Sequence, residues 1–188
     1  MAIESSDILP LGAAMPTLAL PDPDGTVHDV SADATGAPVL VVFACNHCPY
    51  VVHVGPRLGQ LADRWMADGL AVAAVASNDV ETHPEDGPEH MGAFAGANGW
   101  TFPYLVDADQ ATALAFGARC TPDIFLFDRA HRLAYHGQFD ASRPGSGDAS
   151  GDDLAAAVTA VLAGRDAPAE QRPAVGCSIK WTPGNDPT

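Results

Sequence analysis

Residues 38–54 read PVLVVFACNHCPYVVHV, and this stretch joins an apolar run to a pair of cysteines. Residues 38–44 are apolar throughout and include three β-branched valines, which is typical of a strand covered on both faces. From Val51 onward apolar residues recur three and four positions apart, which predicts an amphipathic helix. Residues 70–76 (LAVAAVA) predict a second buried strand. The chain therefore contains a strand–helix–strand unit, whose crossover should be right-handed.

Shorter patterns extend this unit in both directions. Residues 17–30 (TLALPDPDGTVHDV) hold two alternating runs around a turn signal, which predicts a β-hairpin. Further strands are predicted at residues 102–106, 124–127 and 133–135, and further helices at 88–98, 110–116 and 153–162. We predict an α/β domain over residues 1–164, with a central mixed sheet flanked by helices. Residues 165–188 are predicted to form an extended C-terminal tail.

Composition argues against two classes of partner. The chain has 188 residues, with 24 Asp and Glu against 9 Lys and Arg, for a formal net charge of −15. Because this charge repels phosphate groups, we expect neither nucleic-acid binding nor attachment to an anionic membrane. The first ten residues (MAIESSDILP) lack the basic region and apolar run of a secretory signal. We therefore expect a cytoplasmic protein.

Cys45 and Cys48 form a Cys-x-x-Cys pair at the start of the predicted helix. The unpaired N–H groups and the dipole of a helix N-terminus stabilise an anion, so a thiolate is favoured there. One helical turn separates the two cysteines, and the second can attack a mixed disulfide on the first. His47, when protonated, would favour the Cys45 thiolate further. The pattern predicts thiol–disulfide exchange without a cofactor, with Cys45 as nucleophile and Cys48 as resolving thiol.

Four stretches together resemble the thioredoxin-like superfamily, in particular its redoxin branch of bacterial proteins related to the alkyl hydroperoxide reductase/thiol-specific antioxidant group. They are MPTLALPDPDGTVHDV (15–30), VLVVFACNHCPYV (39–51), FGARCTPDIFLFD (116–128) and LAYHGQFD (133–140). The resemblance implies a thioredoxin-like fold. It also implies a cis peptide at Thr121-Pro122 that faces the dithiol and binds an extended substrate. The implied partners are a protein or small-molecule disulfide and a thiol or reductase that donates electrons.

Two alternative functions stay open. A peroxiredoxin-like peroxidase would use Cys45, but the peroxiredoxin pattern Pro-x-x-x-Thr-x-x-Cys has Val42 in place of Thr here. This substitution disfavours peroxidase activity. A metal-binding or metallochaperone module would use Cys45, Cys48 and His53. Closed structural metal sites usually need four ligands, and this set supplies three.

Two cysteines and an acidic loop lie outside the pair. Cys120 is expected to pack as a small buried side chain. The acidic loop 78–86 is expected to cap the helix that follows it, through Asp86 and Glu89. In residues 176–181 (GCSIKW), the apolar side chains Cys177, Ile179 and Trp181 alternate with polar ones, so an extended segment would present one apolar face. We predict that this segment docks on the domain. Cys177 would then be either a buried anchor or a third redox thiol that exchanges with the pair.

Overall fold

The computed structural model describes residues 2–6 and 8–187. Along them the chain forms β1 (Ala2–Glu4), β2 (Ala19–Pro21), β3 (Val27–Asp29), α1 (Val30–Asp33), β4 (Val39–Phe43), α2 (Pro49–Ala67), β5 (Ala71–Ala76), a 3-10 turn (Pro84–Asp86), α3 (Pro88–Ala97), β6 (Tyr104–Val106), α4 (Ala111–Phe116), β7 (Cys120–Thr121), β8 (Asp123–Phe127), β9 (Leu133–His136), α5 (Asp152–Leu162) and β10 (Val175–Ser178). These elements alternate as expected for an α/β domain.

The central sheet has five strands in the order β6-β5-β4-β8-β9. Strand β4 pairs in parallel with β5, and β5 in parallel with β6, while β8 runs antiparallel to both β4 and β9. Every residue of β4 and of β8 is buried. Strands buried on both faces are apolar at consecutive positions, which is why β4 shows no alternation in sequence. The predicted mixed sheet is confirmed.

Helices cover both faces of this sheet and divide the core in two. Leu40 and Val42 of β4 point into the cluster formed with α2 and α5, because successive strand residues face opposite sides. Val41 and Phe43 point into the other cluster, which α1 and α4 complete. Since β4 packs on both clusters, its end is held firmly, and the cysteine-bearing turn that follows it begins at a fixed place.

Two smaller sheets involve the ends of the chain. Strands β2 and β3 form the predicted N-terminal hairpin. The second small sheet has the order β1-β10-β7, with all pairs antiparallel, so the C-terminal strand lies between two segments distant in sequence. The boundary proposed between residues 164 and 165 stays a prediction. Among the described helices, none has the length and apolar character needed to cross a membrane.

Candidate active site

The two cysteines of the pair lie between the central strand and the longest helix. Strand β4 ends at Phe43, and Cys48 is the N-cap residue of α2. Pro49 occupies the first turn of α2, where its missing N–H costs no hydrogen bond. Cys45 is 1% exposed and Cys48 is fully buried. The local sequence therefore places both sulfurs at the end of the strand, under cover of the surrounding chain.

Thr121 contacts both sulfurs. Its hydroxyl Oγ1 lies 3.4 Å from Cys45 Sγ, and its carbonyl oxygen lies 3.0 Å from Cys48 Sγ. The Thr121–Pro122 peptide bond is cis. Strands β7 and β8, on either side of Pro122, thereby bring a residue from the second half of the chain directly against the dithiol.

A hydrogen bond between the two thiols dominates their ionisation. It lowers the pKa of Cys48 and raises the pKa of Cys45, which burial and the negative charge of Asp86 raise further. The pair therefore loses one proton readily and holds the second tightly. The Thr121 carbonyl oxygen can accept a hydrogen bond from a protonated Cys48, and the Thr121 hydroxyl can donate one to a thiolate on Cys45. One negative charge is thus shared between the two sulfurs.

Asp86 organises the turn that carries the cysteines. Its carboxylate lies 2.7 Å from His47 Nδ1 and accepts hydrogen bonds from the backbone N–H groups of Asn46 and His47 at 2.8 and 3.2 Å. Asn78 donates to the same carboxylate at 2.8 Å. The side chain is 1% exposed. The expectation that Asp86 caps the next helix is wrong, because its oxygens are engaged by the cysteine turn and α3 has no side-chain cap.

Sequence reasoning missed this contact, although one signal pointed to it. Asp86 lies in the loop that follows β5, and β4 and β5 are parallel neighbours. Loops after the carboxyl ends of adjacent parallel strands meet at one edge of the sheet. A buried acid in the second loop is therefore a candidate for contact with a motif in the first.

His47 also connects the pair to a small cluster of possible metal ligands. Its Nδ1 lies 3.9 Å from Cys45 Sγ, and its ring stacks on that of His83 at 5.2 Å. The ligand atoms of Cys45, His47 and Asp86 lie within 4.8 Å of one another. His53 does not join them, since its Nε2 pairs with Ser142 Oγ at 2.7 Å. Among the described residues, the structure does not group the metal ligands expected from sequence.

The other two cysteines occupy different positions relative to the pair. Cys120 is fully buried, and burial raises the pKa of its thiol well above the ordinary value. Its Sγ lies 3.5 Å from the Pro122 carbonyl oxygen. Cys177 lies opposite Thr121 in the pairing of β10 with β7, and packs on the core cluster that contains both sulfurs of the pair. Cys120 and Cys177 thus both lie on strands of the smaller sheet that reaches the pair, Cys120 fully buried and Cys177 half-buried.

The sheet order, the helices on both of its faces and the cysteine pair after the central strand define a thioredoxin-like fold. A secreted Mycobacterium tuberculosis disulfide oxidoreductase, homologous to Escherichia coli DsbE, has a similar fold. Its TM-score is 0.60 and its identity 20%, over 77% of this chain and 96% of that chain. Residues 10–151 match the family model named Redoxin. The chain belongs to the Redoxin family.

Two solved structures are similar along nearly the whole chain. A hypothetical protein from Sinorhizobium meliloti 1021 has 47% identity and a TM-score of 0.92, over 96% of this chain and 99% of that chain. An uncharacterized conserved protein from Geobacillus kaustophilus has 44% identity and a TM-score of 0.92, over 98% of each chain. No curated protein matches the chain. The family and the fold support a thioredoxin-like redox role.

Proposed function

We propose that the protein is a thiol–disulfide oxidoreductase whose working thiols are Cys45 and Cys48. The observation that carries this proposal is the placement of both thiols at the N-terminus of α2, with the Thr121 hydroxyl against Cys45 Sγ and the Thr121 carbonyl oxygen against Cys48 Sγ. A dithiol that shares one charge has the two groups that the reaction needs. One is a thiolate that attacks, and the other is a thiol held next to it for the second step.

The reaction proceeds in two exchanges. The Cys45 thiolate attacks one sulfur of the substrate disulfide, the substrate S–S bond breaks, and the other substrate sulfur leaves as a thiolate that takes up a proton. Cys48, as its thiolate, then attacks the Cys45 sulfur of the mixed disulfide and releases the second substrate thiol. The substrate gains two electrons and the protein becomes the Cys45–Cys48 disulfide, which a thiol or reductase donor reduces again.

His47 and Thr121 would act on the first of these steps. The Thr121 hydroxyl lies where it can donate a hydrogen bond to the Cys45 thiolate. Asp86 holds the His47 ring beside the same sulfur, so a protonated ring would stabilise its negative charge. Since Cys45 is 1% exposed, a substrate reaches it only when neighbouring segments move aside.

Reduction of insulin by dithiothreitol tests the proposal. The wild-type protein should accelerate insulin precipitation, and Cys45→Ser should abolish the acceleration because no mixed disulfide can form. Cys48→Ser should accumulate a mixed disulfide on Cys45 instead. Cys120→Ser serves as the matched control, since its buried thiol takes no part. Equal rates for the wild-type protein and Cys45→Ser would refute the proposal.

A metal-binding role is the second candidate, and one observation favours it. Cys45, His47 and Asp86 offer sulfur, nitrogen and oxygen ligands within 4.8 Å of one another, a donor set that suits Zn²⁺. Elemental analysis of protein purified under reducing conditions tests this role. One bound metal per chain that Asp86→Asn removes would support it, and a metal content unaffected by that change would contradict it.

A further inference from the structure

Strand β10 lies along the backbone edge of Thr121, the residue that contacts both sulfurs of the pair. The register places Cys177 opposite Thr121 and Ser178 opposite Cys120. A Cβ atom on Gly176 would lie 2.0 Å from the Thr121 carbonyl oxygen. Since a backbone can approach another this closely only where a side chain is missing, Gly176 permits the contact. The C-terminal strand therefore lies directly on the segment that faces the dithiol.

This docking brings Cys177 to the residue that contacts the pair. Cys177 is the pairing partner of Thr121, whose carbonyl oxygen lies 3.0 Å from Cys48 Sγ and whose hydroxyl lies 3.4 Å from Cys45 Sγ. Cys177 also packs on the core cluster that contains Cys45 and Cys48. The three cysteines thus all lie around Thr121.

We propose that Cys177 is a third redox thiol, which exchanges with the Cys45–Cys48 disulfide by attacking the sulfur of Cys48. The inference rests on the proposed function, which supplies that disulfide. The Cys177 thiolate forms a bond to Cys48, the Cys45–Cys48 bond breaks, and Cys45 leaves as a thiolate. The proton of Cys177 goes to solvent and Cys45 can take one up. The number of disulfides is unchanged, so the step needs no further oxidant or reductant.

The surroundings of Cys177 differ between the reduced and oxidised states of the pair. In the reduced protein, burial and the hydrogen bond to Cys48 raise the pKa of Cys177 to about 11. When the pair is oxidised, the Cys48 sulfur carries no negative charge. The hydrogen bond to Cys48 then no longer raises the pKa of Cys177. Cys177 is therefore a weak nucleophile while the dithiol is reduced, and a stronger one when a disulfide is present to attack.

The exchange would change the state of both Cys48 and Cys45. The new Cys48–Cys177 disulfide ties β10 covalently to the N-terminus of α2. Cys45 becomes a free thiol again and can attack a further substrate disulfide. Cys177 acts in this way as a redox group of the protein itself, beyond packing the C-terminal strand onto the core.

Peptide mapping of the Cys45→Ser variant tests the inference, because this variant cannot form the Cys45–Cys48 disulfide. After oxidation with oxidised glutathione and alkylation of free thiols, trypsin releases Cys48 in residues 1–57 and Cys177 in residues 166–180, since Pro173 blocks cleavage after Arg172. We expect these two peptides to be joined. Adding Cys120→Ser as a control should leave the joined pair unchanged.

The wild-type protein gives a second measurement that does not depend on the variant folding. A Cys45–Cys48 disulfide stays within one tryptic peptide, whereas the exchanged form joins two peptides. Under mild oxidation we expect a fraction of joined peptides, which Cys177→Ser abolishes while keeping the Cys45–Cys48 disulfide. Full alkylation of Cys177 in the oxidised wild-type protein and in oxidised Cys45→Ser would overturn the inference. Failure of the proposed function would appear separately, because the wild-type protein would then not accelerate insulin reduction.

Discussion

At the scale of single residues, the turn that carries the cysteines depends on Asp86. One buried carboxylate accepts hydrogen bonds from two backbone N–H groups of the turn and from the side chains of His47 and Asn78. A carboxylate with several donors is satisfied although it is buried. The arrangement fixes the distance between the His47 ring and the Cys45 sulfur. This distance determines how strongly a positive charge on the ring would stabilise a thiolate on Cys45.

We predict that His47→Gln lowers the reduction potential of the Cys45/Cys48 pair. A protonated His47 stabilises the thiolate and hence the reduced form, which raises the potential, so removing the ring acts in the opposite direction. For the wild-type protein we expect a value between roughly −270 and −180 mV, the range from thioredoxin to protein disulfide isomerase. Equilibration with glutathione buffers, followed by alkylation, measures it.

His83→Gln is the matched control for this measurement. His83 stacks on His47 but forms no described contact with either sulfur of the pair. We expect the reduction potential of the Cys45/Cys48 pair in His83→Gln to stay close to the wild-type value. An unchanged potential in His47→Gln would show that His47 has no part in tuning the thiols.

At the scale of elements, the site combines elements next to the cysteine pair in sequence with strands from distant parts of the chain. Strand β4 and helix α2 lie on either side of the cysteine pair in sequence, so this part of the site is local. Strands β7 and β10 come from distant parts of the chain and approach the pair from the other side. The close contact between Gly176 and Thr121 determines whether β10 can lie there at all.

We predict that Gly176→Ala destabilises the docking of β10. The new Cβ would meet a backbone carbonyl, which cannot rotate away, and overpacking of this kind costs about 1–3 kcal/mol. Hydrogen exchange should quicken at the amides of β10 and β7, and Cys177 should become easier to alkylate. Urea unfolding measures the loss of stability.

Gly92→Ala provides the control, because a Cβ at Gly92 in α3 would meet nothing within 4 Å. Alanine is the better helix former, so this variant should be as stable as the wild-type protein or more so. Equal exchange rates at β10 in Gly176→Ala and in the wild-type protein would contradict the close contact.

At the scale of the whole molecule, the dominant feature is the excess of acidic residues. The formal net charge is −15, and Glu85 and Asp86 both lie at His47, beside the candidate nucleophile. A negative field of this kind attracts cationic substrates and repels anionic ones before any contact forms. The net charge should therefore change the association rate of a charged disulfide substrate.

We predict that cystamine, a cationic disulfide, oxidises the reduced protein faster than anionic oxidised glutathione does at low salt. Raising the salt concentration to roughly 0.5 M should slow the first reaction and speed the second, because salt screens both interactions. Stopped-flow alkylation of the remaining thiols follows both rates. Rates that are independent of salt would show that the net charge does not steer these substrates.

Much of the fold was predictable from sequence because its signals are local. The apolar run of β4, the three- and four-residue spacing along α2 and the turn between β2 and β3 each follow from neighbouring residues. The cysteine spacing likewise placed the pair at a helix N-terminus, where Cys48 is the N-cap residue of α2, and its redox role stays a proposal. Alternation in residues 176–181 predicted an extended segment with one apolar face. The structure divides that face, because Cys177 packs on the cluster of the cysteine pair, whereas Ile179 and Trp181 pack on the other cluster.

Only the tertiary structure decided which of these segments meet. Periodicity shows which face of a strand is apolar, and carries no information on what that face packs against. The contacts of Asp86 with His47, of Thr121 with both sulfurs, and of Cys177 with Thr121 all join residues distant in sequence. Each arises because the packing of the sheets brings separate loops and strands to one end of β4, and that packing depends on the whole chain.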